Sequence, residues 1–199
     1  AILDLVRRHG GVVDAVSAGE IQRAIAAGFK PGFNHPPEIQ YTADIFDRET
    51  LDLVVELGVP VNCGSPDMIE QYGQRLARAG SSPTPGSGIT LRINPGFGHG
   101  HSQKTNTGGE QSKRIAAAVG PSLTTISAGG GLPTPYRDGD QRVDLAAYFE
   151  LWDATRRRLA DKFGHPLNLE IEPGRYLVAE SAILIAEIRA IKRMGDNLF

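Results

Sequence analysis

Apolar residues recur along the chain at two spacings, and the two spacings take turns. Short runs with alternating or continuous apolar character predict strands at Val12–Val16, Ile39–Thr42, Val59–Asn62, Ile89–Asn94, Leu123–Ser127 and Leu167–Ile171. Between them, apolar positions three and four apart predict helices. Ile2–His9 reads as the end of one, closed by Gly10-Gly11. Ser17 caps a second through about Ala27, with Glu20 three residues on completing a capping box. A third starts at Asp47 or Thr50 and carries Leu51, Leu53, Val54, Val55 and Leu57. Ser65 caps a fourth from Pro66 to about Ala79, with proline at its favoured first position. Ile115–Val119 is a short helical piece, and Asp144–Phe163 is an amphipathic helix bearing Trp152. Ala182–Met194 is apolar and β-branched, and is expected to form a strand leaving the main sheet. Strand and helix in alternation predict an α/β fold.

Two connections stand apart. Gly80–Gly88 has the composition of a flexible linker. Pro95–Gly109 is a glycine- and histidine-rich loop too long to be a mere connector. The other informative residues gather just after predicted strand ends, where an α/β barrel carries its site.

Length and charge narrow this picture. The 199 residues suffice for one domain with a core, but a complete (β/α)8 barrel takes about 250. A net charge of −2 argues against nucleic acid or an anionic membrane as principal partner. The single cysteine, Cys63, excludes an internal disulfide and fits a reducing cytoplasm. No apolar run reaches membrane-spanning length and no signal peptide opens the chain. The chain begins inside a helical pattern and stops on Asn197-Leu198-Phe199, so both ends are expected to be cut.

Glu172-Pro173-Gly174-Arg175 follows the last predicted strand. Pro-Gly predicts a tight turn there, with an acid and an arginine on either side. Such a strand tip suits a charged small molecule; the alternative is a surface salt bridge. Gly129-Gly130-Gly131 follows another strand. Glycines let the backbone approach a ligand and turn consecutive N–H groups towards an anion, usually phosphate; the alternative is a turn or bulge. The spacing is not that of a dinucleotide fingerprint. Arg175 suits phosphate or carboxylate, since a guanidinium grips either with two hydrogen bonds. Glu172, beside apolar strand residues, needs a partner, and a protonated heteroaromatic nitrogen is one.

His99, His101 and Lys104 lie in the long loop. No third ligand stands at a recognised zinc spacing, so they either meet a substrate carboxylate or are solvated. Cys63 reads as a small buried residue rather than a nucleophile. Asp14, inside an apolar strand, is either a barrel-interior acid that orients a lysine or a solvated edge residue.

Taken together, Asp14–Glu20 (DAVSAGE), Arg92–Pro95 (RINP), the loop Gly96–Lys113 (GFGHGHSQKTNTGGEQSK), Ile126–Leu132 (ISAGGGL) and Glu172–Tyr176 (EPGRY) resemble the group III pyridoxal-phosphate-dependent decarboxylases. Their catalytic domain is an alanine-racemase-like barrel. The loop is most similar to the diaminopimelate branch. The resemblance implies pyridoxal 5′-phosphate as cofactor, with Gly129, Gly130 and Gly131 around its phosphate and Glu172 at its ring nitrogen. Pro173 and Gly174 belong to the same cofactor-binding motif, and Arg175 sits by the phosphate and the substrate carboxylate. It implies decarboxylation of meso-diaminopimelate to L-lysine in a cytoplasmic homodimer.

The departures are as specific. The family's cofactor-bonding lysine, in a Tyr-x-x-Lys-Ala segment, would precede Ala1. A His-Ile-Gly-Ser strand, whose histidine stacks on the cofactor ring, is missing between Lys113 and Leu123. The C-terminal β-domain with its cysteine would follow Phe199. Residues 1–199 are therefore expected to form a partial (β/α)8 barrel of about six strands, with an internal deletion near 113–115. The chain as it stands is expected not to decarboxylate. The alternatives are another basic amino-acid decarboxylase of this family and a non-catalytic remnant that binds the cofactor or phosphate.

Overall fold

The computed structural model describes residues 1–33, 37–80, 88–92 and 123–198. They fall into two compact units, Ala1–Ser122 and Leu123–Phe199.

In the first unit, helix α1 (Ile2–Arg8) precedes strand β1 (Val13–Ala15), helix α2 (Ala18–Ala26), β2 (Ile39–Thr42), α3 (Arg48–Leu57), β3 (Val61–Cys63), α4 (Pro66–Arg78) and β4 (Ile89–Leu91). The four strands pair in parallel in sequence order. Their register aligns Ala15 with Tyr41, Tyr41 with Val61, and Cys63 with Leu91. Alternation along each strand therefore sorts the sheet into two faces. One carries Ala15, Ile39, Tyr41, Val61 and Cys63, all buried in one cluster with side chains of α2, α3 and α4. The other carries Asp14, Gln40, Thr42, Asn62 and Thr90.

Helices α2, α3 and α4 each start on a side chain that satisfies an otherwise unpaired N–H. Ser17 accepts from Glu20, Asp47 from Thr50, and Ser65 from Met68. Asp47, rather than Thr50, is thus the cap of α3. The Glu20 carboxylate reaches past the cap to the N–H of Val16 instead of to that of Ser17, so only the serine half of the expected capping box is formed. Gly58, in the left-handed region at φ 65°, ends α3. On α4, Met68, Tyr72 and Leu76 recur every fourth residue and are buried; each such side chain contributes roughly 1.5–3 kcal/mol.

The second unit holds β5 (Thr125–Ser127), α5 (Leu145–Phe163), β6 (Asn168–Glu170), α6 (Gly174–Val178), a 3-10 turn (Ala179–Ser181), β7 (Arg193–Met194) and β8 (Asn197–Leu198). Strands β5 and β6 are parallel, and β7 and β8 form a small antiparallel hairpin. Asp144 caps α5 through Ala146 and Ala147, and Gly164 at φ 74° closes it. Among the described residues of this unit, the buried apolar side chains are Leu132 and Leu167.

Three sequence expectations change. Pro173-Gly174 is not merely a turn: Pro173 is the N-cap of α6, and Arg175 lies in that helix's first turn. Proline's fixed φ and missing N–H suit a helix start as well as a turn. The stretch 182–192 has no regular structure, with Ile183, Leu184 and Ile185 at least 85% exposed; an unpartnered edge gives it no ladder, and pairing begins only at Arg193. The strand expected at Leu167–Ile171 is shorter, Asn168–Glu170, and Ile171 beyond it is 47% exposed. The short helix expected at 115–119, and the loop with His99, His101, Lys104 and Lys113, lie outside the described residues.

Candidate active site

Register brings the two motifs of the second unit together. Strands β5 and β6 pair with Thr125 opposite Asn168 and Ser127 opposite Glu170, so they end level. Backbone bonding then continues past both ends. Ala128 N–H donates to the Glu170 carbonyl at 2.8 Å, and Glu172 N–H donates to the Gly129 carbonyl at 2.9 Å. The glycine run and the Glu172 motif are thus stitched into one surface at adjacent strand tips.

Glycine is required at specific places in that surface. Gly129 and Gly131 have φ of 69° and 83°, where a side chain is strained. Gly130 has ordinary φ, but a Cβ there would lie 3.1 Å from the Glu172 carbonyl oxygen. Among the described residues, neither Gly130 N–H nor Gly131 N–H has a backbone acceptor. Those groups remain available to an anion.

The carboxylate and the guanidinium of the motif part company. Glu172 Oε1 accepts from Ser127 Oγ at 2.8 Å, and Ser127 Oγ in turn accepts from Gly129 N–H at 3.0 Å. Arg175 Nη1 donates to the Tyr136 hydroxyl at 3.1 Å. The loop bearing Tyr136 is held by Asp140, whose Oδ2 accepts from the N–H groups of Tyr136 and Arg137, both at 2.9 Å. No ion pair joins Glu172 to Arg175 among the described residues, which removes the salt-bridge alternative. Glu170, level with Ser127, has its carboxyl raised above its ordinary value by desolvation and by the Glu172 charge. Crowding a second carboxylate here disfavours further negative charge on that side.

Ser127 and Tyr136 were not among the residues singled out in the sequence. Ser127 had a signal: a hydroxyl at a strand's last position, immediately before the glycines' approach. Tyr136 had none, because its contact to Arg175 spans 39 residues.

The first unit settles two other candidates. Cys63 is 1% exposed on the helix-facing side of the sheet, and burial raises its thiol from 9.0 to about 11. A protonated, enclosed thiol is a poor nucleophile. Asp14 is half-buried on the polar face of the sheet and accepts from Thr42 Oγ1 at 2.5 Å. Among the described residues no helix is long and apolar enough to cross a membrane.

Open glycine N–H groups, a bare position at Gly130, a carboxylate with one oxygen engaged and a nearby guanidinium form a donor and acceptor set that fits a phosphorylated pyridine. Similarity to known proteins runs the same way. The family described as pyridoxal-dependent decarboxylase, pyridoxal binding domain, matches residues 1–118 and 114–179. The diaminopimelate decarboxylase of Escherichia coli (strain K12) is 43% identical over 244 aligned positions, covering 100% of this chain and 56% of that protein. That of Streptomyces coelicolor is 45% identical over 244 positions, covering 100% and 53%. A crystal structure of a diaminopimelate decarboxylase superposes with a TM-score of 0.75 at 42% identity, covering 99% of this chain and 56% of that one. The enzyme from Helicobacter pylori, solved in complex with L-lysine, shares the fold at a TM-score of 0.67 and 21% identity, covering 90% and 55%.

The chain thus spans about half the length of the curated relatives it matches. Alignments of 244 positions for 199 residues open gaps within it, and the two segments of the family match meet at 114–118. The parallel strands and intervening helices are those of an incomplete (β/α)8 barrel. By its family match over most of its length, the chain belongs to the pyridoxal-dependent decarboxylases, through their pyridoxal-binding domain.

Proposed function

We propose that this chain is the cofactor-binding part of a diaminopimelate decarboxylase, a carboxy-lyase that converts meso-diaminopimelate to L-lysine with pyridoxal 5′-phosphate. The observation that carries the reading is the junction of Gly129–Gly131 with Glu172 across adjacent strand tips. When bound, the cofactor supplies an electron-withdrawing ring on which the bond to carbon dioxide can break. The residues assigned to hold it are Gly129, Gly130, Gly131, Glu172, Pro173, Gly174 and Arg175.

Their roles follow from their chemistry. Gly130 and Gly131 offer N–H groups to the phosphate. The unengaged oxygen of Glu172 would accept a hydrogen bond from the protonated ring nitrogen and hold that proton in place. Pro173 and Gly174 start α6 so that Arg175 projects from its first turn. Arg175, released from or shared with Tyr136, takes a substrate carboxylate or a phosphate oxygen.

The whole reaction belongs to a longer protein, expected to be a cytoplasmic homodimer acting on a small amino acid. We assign to this chain residues 1–199 of the barrel with a deletion near 113–115. On this assignment it binds the cofactor without decarboxylating. The test is titration of the purified chain with pyridoxal 5′-phosphate, with inorganic phosphate as competitor, followed by borohydride reduction and peptide mapping. Saturable, phosphate-competable binding lost in Glu172→Ala or Arg175→Ala supports the reading. Binding unaffected by either change, or one specific lysine adduct with lysine formation from diaminopimelate, overturns the respective part of it.

A further inference from the structure

We propose that Ser127 is a positioning residue of the cofactor site, coupling the phosphate-binding glycine loop to the carboxylate assigned to the ring nitrogen. The proposal rests on the assignment of that site to pyridoxal 5′-phosphate.

A serine hydroxyl has one proton to donate and lone pairs to accept with. Here both functions are directed. Gly129 N–H donates to Oγ at 3.0 Å, and the hydroxyl proton goes to Glu172 Oε1 at 2.8 Å. The result is a one-way chain from the backbone of the glycine run to a carboxylate 45 residues away. Each link polarises the next, so the chain is stiffer than two separate contacts. A third contact closes it, because Glu172 N–H donates to the Gly129 carbonyl at 2.9 Å.

Two consequences bear on function. First, Oε1 is committed to Ser127, while Oε2 accepts no hydrogen bond among the described residues. The carboxylate is thereby held in one rotamer, with Oε2 as the oxygen presented to a ligand. A glutamate otherwise has three side-chain torsions to order on binding. Second, the N–H of Gly129 is turned inward to Ser127, which leaves those of Gly130 and Gly131 as the outward donors. One hydroxyl thus fixes which backbone groups meet phosphate and which carboxylate oxygen meets the ring.

The probe is pyridoxine 5′-phosphate, which has no aldehyde to react with surface lysines. Its ultraviolet spectrum reports protonation of the ring nitrogen. On the unaltered chain, binding raises the pH at which that nitrogen loses its proton, because Glu172 faces it. In Ser127→Ala the affinity falls roughly tenfold, the effect of one hydrogen bond to a charged group, and the titration midpoint returns towards that of the free ligand. Ser127→Thr keeps the hydroxyl and restores both.

A double-mutant cycle separates positioning from general support of the fold. On a Glu172→Gln background, Ser127→Ala has a smaller effect than on the parent, because the part transmitted through that carboxylate is gone. Equal losses on both backgrounds, or a Ser127→Ala midpoint unchanged from the parent, overturn the role given to Ser127 and leave the cofactor assignment standing. Absence of binding, or a parent midpoint equal to that of the free ligand, overturns the cofactor assignment itself and this proposal with it. Ser127 is exposed, so the variants are expected to retain the parent's circular dichroism. If Ser127→Ala alone loses it, the affinity and midpoint of Ser127→Thr decide, since a threonine indistinguishable from the parent supports the role and a threonine with neither property overturns it.

Discussion

A methyl group on Gly130 would sit 3.1 Å from the Glu172 carbonyl oxygen, closer than ordinary contact. The neighbour is backbone, already fixed by the bond from Glu172 N–H to Gly129, so it cannot swing away as a long side chain would. Gly130→Ala is therefore expected to part the two strand tips and weaken phosphate-competable cofactor binding, with a loss of fold stability of about 1 kcal/mol. Gly129→Ala acts differently, through a φ of 69°, at a conformational cost of about 1–2 kcal/mol. Calorimetry on both variants separates the effects: Gly130→Ala alone should reduce affinity more than it lowers the melting temperature. Cys63 gives a residue-scale prediction by pH. Its thiol is raised from 9.0 to about 11 by burial, so the unfolded chain ionises first. The stability this contributes is complete below about pH 9 and is lost as pH rises through 11, a fall of about 3 kcal/mol at most. Denaturant midpoints measured from pH 8 to 11 should fall less in Cys63→Ala than in the parent, and parallel slopes for the two would refute the assignment.

At the scale of elements, local chemistry carried most of what the sequence disclosed. Ser17, Asp47, Ser65 and Asp144 each stand where a helix begins, and each caps one. Capping is decided within four residues, so it can be read from a single chain. The strand at 39–42 was legible because apolar residues alternate there with a polar face, and the one expected at 59–62 forms two residues later, at 61–63. What escaped reading depends on distant partners. Ala182–Met194 has the β-branched composition of a strand, but composition cannot supply a neighbouring edge, and only Arg193–Met194 found one. Ser127, Glu172 and Gly129 were readable as types near strand ends; their joining depended on β5 and β6 being neighbours in level register. The split of Glu172 from Arg175 required Pro173 to start a helix, and Pro-Gly signals turns and helix starts alike. The capping assignment is testable on α5, which has no buried residue and so leans on its termini. Asp144→Ala is expected to cost about 1 kcal/mol and to fray residues 145–148. A loss of far-ultraviolet helix signal in Asp144→Ala, absent from Asp144→Ser, is the expected measurement.

For the whole molecule, apolar burial is unevenly shared. The first unit holds the cluster that runs from Ala15 through Tyr41, Val61 and Tyr72 to Leu76. The second holds Leu132 and Leu167 as its buried apolar residues among those described, while Phe149, Leu151, Leu177 and the isoleucines at 183, 185, 188 and 191 are exposed. Fully burying one such side chain is worth about 1.5–3 kcal/mol, so the first unit has the larger driving force to stay closed. Opening free energies should follow the same order, because amides protected by a large cluster exchange only when that cluster opens. The prediction is that the backbone N–H of Tyr41, which donates to the Pro60 carbonyl at 2.9 Å, exchanges far more slowly than that of Asn168, which donates to Thr124 at the same distance. The two bonds have equal length, so any difference reports the surroundings rather than the bond. Saturating pyridoxine 5′-phosphate should then slow exchange at Asn168, Ala128 and Glu172 while leaving Tyr41 unchanged, because the ligand stabilises only states in which its site is formed. Equal protection at Tyr41 and Asn168 without ligand would mean that the two units open as one, and that burial within each does not set its stability.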